Sequence, residues 1–434
     1  MEWYMVLFLI FGGLIVIMFT GLPIAFSFFL LSSIVIFGLM GEFGLRQLIL
    51  GMYDSLNSFP LTAIPFFMVM GEVFYQSGIV TKTLDSLSKF VRKIPGRLSI
   101  ITLLGGGVFA ALSGSVVANT AMFGSLMLPE MMKRGYSKQL TAGSIMASGA
   151  LAMVIPPSAI AVLLGGIAGV SVGKILVGSI LPGVLLVVFY ISYVTITCLV
   201  NPSQAPSYEV EVASLRDIFK SVIIDIIPLI FVFLLVMGLI FFGVATPTEA
   251  AALGALGSFV LTLFYGRFSL KLVYNSLLNS LKVTAMILMI IAGSAGFSQI
   301  LALTGTSREA VAVVLSLQVP PMIILLLMLG LVILLGFFME QTAIMMITLP
   351  MFMPIVQALH FDQVWFAVLV LICLQIGQLT PPVGLALFTM KGVAPSDVTM
   401  SDIYKGAVPY VFLDIALLVL LILIPGFVTL LPNV

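Results

Sequence analysis

The sequence predicts an all-α polytopic membrane protein made of two inverted-topology repeats, each with a re-entrant helical hairpin and a transmembrane helix broken at a Pro-Pro pair. Of the 434 residues, 61% are hydrophobic and only 8% are charged, whereas soluble domains are roughly 25% charged. Apolar runs of roughly 18 or more residues recur, as membrane-crossing helices require. Two double prolines, Pro156-Pro157 and Pro381-Pro382, interrupt such runs at corresponding places in the two halves.

The first repeat is assigned to residues 1–206. It starts with scaffold helices over 1–94, and the last of these, at 80–94, has basic residues opposite its apolar face and is expected to lie in the membrane interface. A re-entrant hairpin is predicted over 95–132, because each arm of roughly 17 residues is marginal for crossing a ~30 Å hydrocarbon core. The broken helix follows at 137–169.

The double proline explains why the helix at 137–169 is expected to break. Proline lacks a backbone donor and clashes with the preceding turn, so carbonyls near Val154 and Ile155 lose their intrahelical partners. A membrane tolerates such a break only where the backbone lines a polar cavity. Two broken helices in corresponding positions of two halves indicate a transporter binding site.

The second repeat, residues 207–434, follows a linker rich in proline, serine and carboxylates. It is predicted to contain scaffold helices over 216–318, a hairpin over 320–359 and a broken helix over 362–393. The landmarks of the first repeat recur in order, at offsets that range only from 221 (Leu128 to Leu349) to 227 (Pro182 to Pro409). Offsets that vary so little indicate an ancient duplication with small insertions.

The distribution of basic residues predicts that the two repeats are inverted. If each half crosses the membrane an odd number of times and the first hairpin opens to the cytoplasm, 15 of the 18 lysines and arginines fall on one side, with Arg46, Lys174 and Arg308 outside it. The positive-inside rule makes that side cytoplasmic. The protein is therefore expected in the inner membrane of a bacterium or archaeon, with both termini on the periplasmic side.

The hairpin tips and helix breaks are predicted to meet at the midplane and to bind a cation. Free carbonyls at helix C-termini carry partial negative charge, and free amides at N-termini carry partial positive charge. Three glycines let the backbone approach closely, and neutral oxygens suit Na⁺ better than a transition metal. The alternative is that each hydroxyl bonds to its own helix or joins two helices. The neutral oxygen ligands are Ser113, Ser115, Asn119, Ser158, Thr342 and Thr380, and the glycines are Gly114, Gly336 and Gly377.

Acidic residues within the apolar segments are costly and indicate function or specific contacts. Glu340, at the second tip, is expected either to act in transport or to cap a helix. Glu249 follows Thr246 and is expected to complement a helix N-terminus. Roles at the interface or in subunit contacts are expected for the acidic residues Asp54, Glu72, Asp225 and Asp414, and no cation is identified in the predicted cavity.

Residue counts argue against an enzyme. His360 is the only histidine, which excludes His-rich metal sites, and neither an aspartate pair nor a Ser-Lys dyad is evident in the membrane segments. Cys198 and Cys373 lie in apolar runs and are expected to be buried thiols. We expect no cofactor and no nucleic-acid partner. A channel with the same polar midplane remains an alternative.

The sequence resembles the large membrane subunit of TRAP (tripartite ATP-independent periplasmic) transporters, the DctM-like permeases. The similarity covers essentially the whole chain, and four motifs carry it. They are Ser113-Gly114-Ser115 through Leu128-Pro129-Glu130-Met131 with Gly135-Tyr136, Ile155-Pro156-Pro157-Ser158, Ala245-Thr246-Pro247-Thr248-Glu249-Ala250, and Leu379-Thr380-Pro381-Pro382-Val383-Gly384.

The resemblance implies Na⁺-coupled secondary uptake of carboxylate-bearing solutes, with an elevator motion of the hairpins and broken helices against the scaffold. It also implies two partners, a soluble periplasmic binding protein and a small four-helix membrane subunit. A C4-dicarboxylate or another small organic acid is the expected solute. Sialic acid as the solute and coupling to H⁺ instead of Na⁺ remain alternatives.

Carried over by position, the resemblance implies two Na⁺ sites. The first would use Ser113, Gly114, Ser115 and Ser158, and the second Gly336, Thr342, Gly377 and Thr380. Asn119 replaces an aspartate found in many relatives, so the first tip lacks a charge that they have. We expect the solute against Ser115, Asn119, Pro157, Glu340, Gln341 and Pro381.

Overall fold

The computed structural model describes residues 3–79, 82–83, 86, 94–113, 115–206, 219, 221–316, 319–337, 339–382 and 384–433. All regular secondary structure within these ranges is helical. Helices satisfy their backbone hydrogen bonds within one segment, which is what an apolar environment requires.

The first half forms helices α1 to α9 within its described residues. A single turn of 3₁₀ helix, Phe59–Thr62, precedes α3, and another, Leu151–Met153, follows α6. The α-helices are α1 (Trp3–Phe19), α2 (Ile24–Leu56), α3 (Ala63–Ser77), α4 (Arg97–Ser113), α5 (Val116–Lys133), α6 (Lys138–Ala150), α7 (Ala159–Ala168), α8 (Val172–Gly178) and α9 (Ile180–Val200).

The second half forms helices α10 to α19 over the residues described there. A π-helical turn, Val222–Ile226, leads into α10. The α-helices are α10 (Ile227–Phe241), α11 (Pro247–Phe264), α12 (Leu270–Leu303), α13 (Thr306–Ser316), α14 (Pro321–Gly336), α15 (Gln341–Ala358), α16 (Gln363–Leu379), α17 (Leu385–Val393), α18 (Met400–Leu423) and α19 (Gly426–Thr429).

Seven stretches of the described chain are long and apolar enough to cross a membrane. This number agrees with the predicted polytopic helical membrane protein. The stretches are Ile24–Leu56, Val172–Val200, Val222–Phe241, Pro247–Phe264, Leu270–Leu303, Gln341–Ala358 and Met400–Leu423.

Each predicted hairpin contains two helices that are in contact with each other. Helix α4 ends at Ser113 and α5 begins at Val116, and α14 ends at Gly336 and α15 begins at Gln341. The first arms have 17 and 16 residues, or roughly 25 Å at 1.5 Å per residue. They are therefore shorter than a ~30 Å hydrocarbon core.

Both predicted helix breaks occur at the double prolines. Helix α6 ends at Ala150, and α7 begins only after Pro156-Pro157, with Ser158 as its N-cap. Helix α16 ends at Leu379, and α17 begins after Pro381-Pro382. Both Pro-Pro peptide bonds are cis.

The interfacial helix predicted at 80–94 lies mostly outside the described residues. Among the described ones, the Lys82 ammonium lies 3.1 Å from Asp225, and the Ser86 hydroxyl donates to the same carboxylate at 2.6 Å. Asp225 is only 8% exposed. It therefore joins this segment to the π-helical turn before α10.

Candidate functional site

A cavity of about 530 Å³ lies between the two hairpin tips and the scaffold helices. One wall is formed by the start of α5, the start of α7 and the residues around the start of α15. The opposite wall is formed by α3 and α12. The polar residues lining the cavity are Ser115, Glu340, Gln341 and Thr342 on the first wall, and Glu72, Asn279, Ser280 and Lys282 on the second.

Ser115, which belongs to the first tip, lines the cavity. It is the N-cap of α5, and its hydroxyl oxygen accepts the backbone N–H of Ala118 at 3.2 Å. A serine at this position satisfies one of the otherwise unpaired amides of the first helical turn. The N-terminus of α5, with its partial positive charge, is thereby directed at the cavity.

Asn119 joins three helices and does not line the cavity. Its side-chain amide donates to the carbonyl of Gly106 on α4 at 2.9 Å and to that of Ser148 on α6 at 3.0 Å. The side chain is fully buried, and its Oδ1 has no hydrogen-bond partner in the described structure. The first tip is thus fixed to the helix that breaks at Pro156-Pro157.

Ser158 makes hydrogen bonds to the backbone on both sides of the first break. Its hydroxyl oxygen accepts the backbone N–H of Ala161 at 3.3 Å, which caps α7. The carbonyls of Ala152 and Met153 lie 2.8 and 3.1 Å from the same hydroxyl, which can donate to one of them at a time. Ser158 therefore fixes the backbone geometry of the break.

Glu340 caps a helix, which is one of its two predicted roles, and it also lines the cavity; its role in transport stays a prediction. It is the N-cap of α15, and its carboxylate accepts the backbone N–H of Thr342 at 2.9 Å and also the Thr342 hydroxyl. The neighbouring Gln341 has a buried Oε1 with no partner among the described groups. An acceptor of this kind is available to a ligand that carries donors.

The second tip and the second break meet at two glycines. A Cβ built on Gly336 would lie 2.7 Å from the Cα of Gly377, so no side chain fits at either position. The predicted pair of glycines is therefore in direct backbone contact. Three residues after Gly377, Thr380 is the C-cap of α16, and its hydroxyl donates to the carbonyl of Ile376 at 2.6 Å.

The scaffold wall contributes four polar residues that the sequence did not place there, Glu72, Asn279, Ser280 and Lys282. The Glu72 carboxylate accepts the side-chain amide of Asn279 at 2.7 Å and that of Gln76 at 2.8 Å. The interfacial or subunit-contact role expected for Glu72 stays a prediction, and the structure adds that Glu72 lines the cavity. Lys282, one turn from Asn279 on α12, also lines the cavity, for which the sequence identified no cation.

The remaining predicted residues are absent from the cavity lining or lie outside the described chain. Gly114 lies outside the described residues, and Ser113 is described only as the last residue of α4. Ligand roles for these two remain predictions, as do those of the residues absent from the cavity lining: Asn119, Pro157, Ser158, Gly336, Gly377, Thr380 and Pro381.

The chain matches known proteins over nearly its full length. The family model described as "Tripartite ATP-independent periplasmic transporter, DctM component" matches residues 11–427. The C4-dicarboxylate TRAP transporter large permease protein DctM of Pseudomonas aeruginosa is 31% identical over 392 residues, which are 89% of this chain and 90% of that relative.

A second relative and a solved structure extend the comparison. The isethionate TRAP transporter permease protein DctMQ of Oleidesulfovibrio alaskensis is 30% identical over 420 residues, which are 96% of this chain and 65% of that relative. The crystal structure of the Alcanivorax borkumensis YdaH transporter superposes with a TM-score of 0.66 at 18% identity and covers 90% of both chains. The fold is therefore shared with that transporter.

Proposed function

Because the chain belongs to the DctM family of tripartite ATP-independent periplasmic (TRAP) transporters, we propose that it drives Na⁺-coupled uptake of a small carboxylate-bearing solute. As a member of this family it is a multi-pass inner-membrane permease subunit for uptake that depends on a periplasmic binding protein. The solute class, the coupling ion and the transport motion are the parts that we propose.

The cavity between the tips and the scaffold carries the proposal. Its volume of about 530 Å³ lies within the ~300–1,000 Å³ of small-molecule sites. Lys282 and the N-terminus of α5 favour an anion, and Asn279, Ser115 and Gln341 supply hydrogen-bonding groups. The lining also carries two carboxylates, Glu72 and Glu340, so we propose that the anionic group of a small organic acid binds at Lys282 and the α5 N-terminus and that its other polar groups face the rest of the lining.

The names of two relatives refer to short acids that differ in their anionic groups, so they support a short acid as the solute but not one particular anionic group. One is named for C4-dicarboxylates and the other for isethionate, and both are about equally similar to this chain. We propose a C4-dicarboxylate or a comparable small acid. The solute would contact Ser115, Glu340 and Gln341 from the hairpin side and Lys282 from the scaffold.

Two Na⁺ sites are proposed beside this cavity. Thr342, which lines it, and Gly336, Gly377 and Thr380 come from the ends of α14, α15 and α16, where helix termini and neutral oxygens meet. The first site would use Ser115, Ser158 and the adjoining tip residues 113–114. Backbone carbonyls at breaks and hydroxyl oxygens are the ligands that suit Na⁺ in transporters.

The proposed transport motion follows from the arrangement of the two halves. We propose that the halves are inverted repeats with both termini in the periplasm, and that both hairpins are re-entrant. The hairpins and broken helices would move together against α3 and α12, carrying the cavity contents across. A small membrane subunit and a soluble binding protein complete the proposed assembly, which the family relationship supports.

Uptake into proteoliposomes tests this proposal. The chain is reconstituted with its small membrane subunit and binding protein, and uptake of a radiolabelled C4-dicarboxylate, isethionate and sialic acid is compared. We expect saturable uptake of a short acid that requires an inward Na⁺ gradient. Uptake that a pH gradient drives without Na⁺ would support H⁺ coupling, and flux that does not saturate would support a channel.

Substitution of Lys282 separates solute binding from coupling. Lys282→Met should raise the KM for the solute about tenfold or more and leave the Na⁺ requirement unchanged, because it removes the cation that faces the anion. Lys271→Met is the matched control, since Lys271 lies near the start of the same helix and outside the cavity. An unchanged KM in Lys282→Met would show that the anion is bound elsewhere.

A further inference from the structure

A second buried polar cluster, separate from the cavity, surrounds Asp414 near the middle of α18. Its Oδ1 accepts the hydroxyl of Tyr190 on α9 at 2.5 Å and the side-chain amide of Gln375 on α16 at 3.1 Å. The same amide lies 3.0 Å from the Tyr190 oxygen. All three residues have 0% exposure, so the expectation of an interfacial role for Asp414 was wrong.

Two acceptor oxygens of this cluster are unpaired. The Oδ2 of Asp414 and the Oε1 of Gln375 have no hydrogen-bond partner in the described structure. No ion pair joins Asp414 to a basic residue of the described chain. An ionised carboxylate buried without a cation is unfavourable, whereas a bound proton removes the charge and provides a donor.

We propose that Asp414 is a proton-binding site held between α9, α16 and α18. The carboxylate takes up one proton to form the neutral acid and releases it as the same carboxylate, with Tyr190 and Gln375 bonded to Oδ1 in both forms. The proton is exchanged with water. This site is distinct from the solute cavity and from the proposed Na⁺ ligands.

Tyr410 packs against the cluster and also lines a second cavity, and its buried hydroxyl has no hydrogen-bond partner in the described structure. Tyr410 lies one turn before Asp414 on the same face of α18, and its ring packs edge-on against those of Tyr190 and Tyr193, with centroids 4.9 and 5.3 Å away. Tyr193 and Tyr410 line a second cavity of about 170 Å³, together with Lys405. Tyrosine hydroxyls both donate and accept, so they suit proton exchange between this cavity and Asp414.

The other ionisable groups near the cluster do not neutralise Asp414. Helix α18 contacts α6, α9, α16, α17 and α19, and of these α19 carries no ionisable side chain. Lys138 on α6 pairs with Asp397 at 3.1 Å, and Lys391 on α17 donates to the carbonyl of Val398 at 2.7 Å. Lys405 is roughly 14 Å from Asp414 along the α18 axis. The remaining groups are Tyr190, Tyr193 and Cys198 on α9, Cys373 on α16, and Asp402, Tyr404 and Tyr410 on α18.

Infrared difference spectroscopy of the full chain in lipid nanodiscs tests the proposal without any solute. Spectra at neutral and alkaline pH in K⁺ buffer should differ by the C=O band of a protonated carboxyl. The band should be lost in Asp414→Asn and retained in Asp225→Asn, a matched control because Asp225 is also buried but pairs with Lys82. Absence of the band from the wild type, or its persistence in Asp414→Asn, would overturn the proposal.

Two further measurements keep the test decisive if Asp414→Asn does not fold. Tyr190→Phe keeps the carboxyl and removes one donor to Oδ1, so the band should move to higher frequency; an unmoved band would overturn its assignment to Asp414. Replacing K⁺ by Na⁺ at constant pH should leave the band in place. Loss of the band in Na⁺ would show that a metal cation, and not a proton, occupies the carboxylate.

Discussion

Glu340 combines a structural and a functional contact in one side chain, and substitution can separate the two. Glutamine keeps an oxygen that accepts the N–H and hydroxyl of Thr342, but it removes the negative charge from the cavity. We expect Glu340→Gln to keep the melting temperature within a few degrees of wild type and to lower uptake at least tenfold.

A second capping glutamate provides the control for this prediction. Glu249 completes a capping box with Thr246 at the start of α11 and does not line the cavity. Glu249→Gln should therefore leave uptake close to wild type. Wild-type uptake by Glu340→Gln, measured in the same vesicles, would show that Glu340 acts only as a helix cap.

Residues whose role depends on local sequence were the ones that the sequence predicted correctly. The capping role of Glu249 follows from its position three residues after Thr246, and the structure confirms it. The partners of Asn119 and Asp414 come from other helices, on α4 and α6 for Asn119 and on α9 and α16 for Asp414. Sequence spacing does not specify such packing, so their contacts could not be predicted.

At the scale of helices, the contact between α14 and α16 depends on the absence of side chains at Gly336 and Gly377. A methyl group added at Gly377 would meet the Cα of Gly336 at 2.6 Å. Gly377→Ala should therefore push the second tip away from the second break and destabilise the protein by about 1–3 kcal/mol. Thermal unfolding in detergent measures this as a lower melting temperature.

Gly330 is the matched control for the helix contact. It lies on α14, and a Cβ there would meet nothing within 4 Å. Gly330→Ala should be neutral or slightly stabilising, because alanine favours a helix by about 1 kcal/mol over glycine. A melting temperature of Gly377→Ala equal to that of Gly330→Ala would show that the two helices do not approach as closely as the structure indicates.

The positions of the helix breaks could be predicted, whereas their surroundings could not. Proline removes a backbone donor wherever it stands, so Pro156-Pro157 and Pro381-Pro382 identify both breaks without further information. The hydrogen bonds of Ser158 and the contact of Gly377 with Gly336 depend on how the chain continues after each break. These details required coordinates.

For the whole molecule, the opposite wall of the cavity was the main feature missing from the sequence prediction. The hairpins and broken helices were identified by their breaks, but α3 and α12 are uninterrupted helices without such a signal. Glu72 and Asn279 come from different halves of the chain, and their hydrogen bond forms only when the halves pack together. A long-range contact of this kind leaves no periodic pattern in either helix.

Binding of the coupling ion should stabilise the whole folded molecule and can be measured without a solute. A ligand that binds only the folded state stabilises it by about 2.7 kcal/mol at 100 times its dissociation constant. We expect the melting temperature to rise saturably with Na⁺ when K⁺ keeps the ionic strength constant, because the helix ends at both tips would hold the smaller ion.

Thr380→Ala and Ser115→Ala should reduce this rise in melting temperature. Ser125→Ala, which removes an exposed hydroxyl on α5, should retain it. Equal melting curves in Na⁺ and K⁺ would contradict Na⁺ binding.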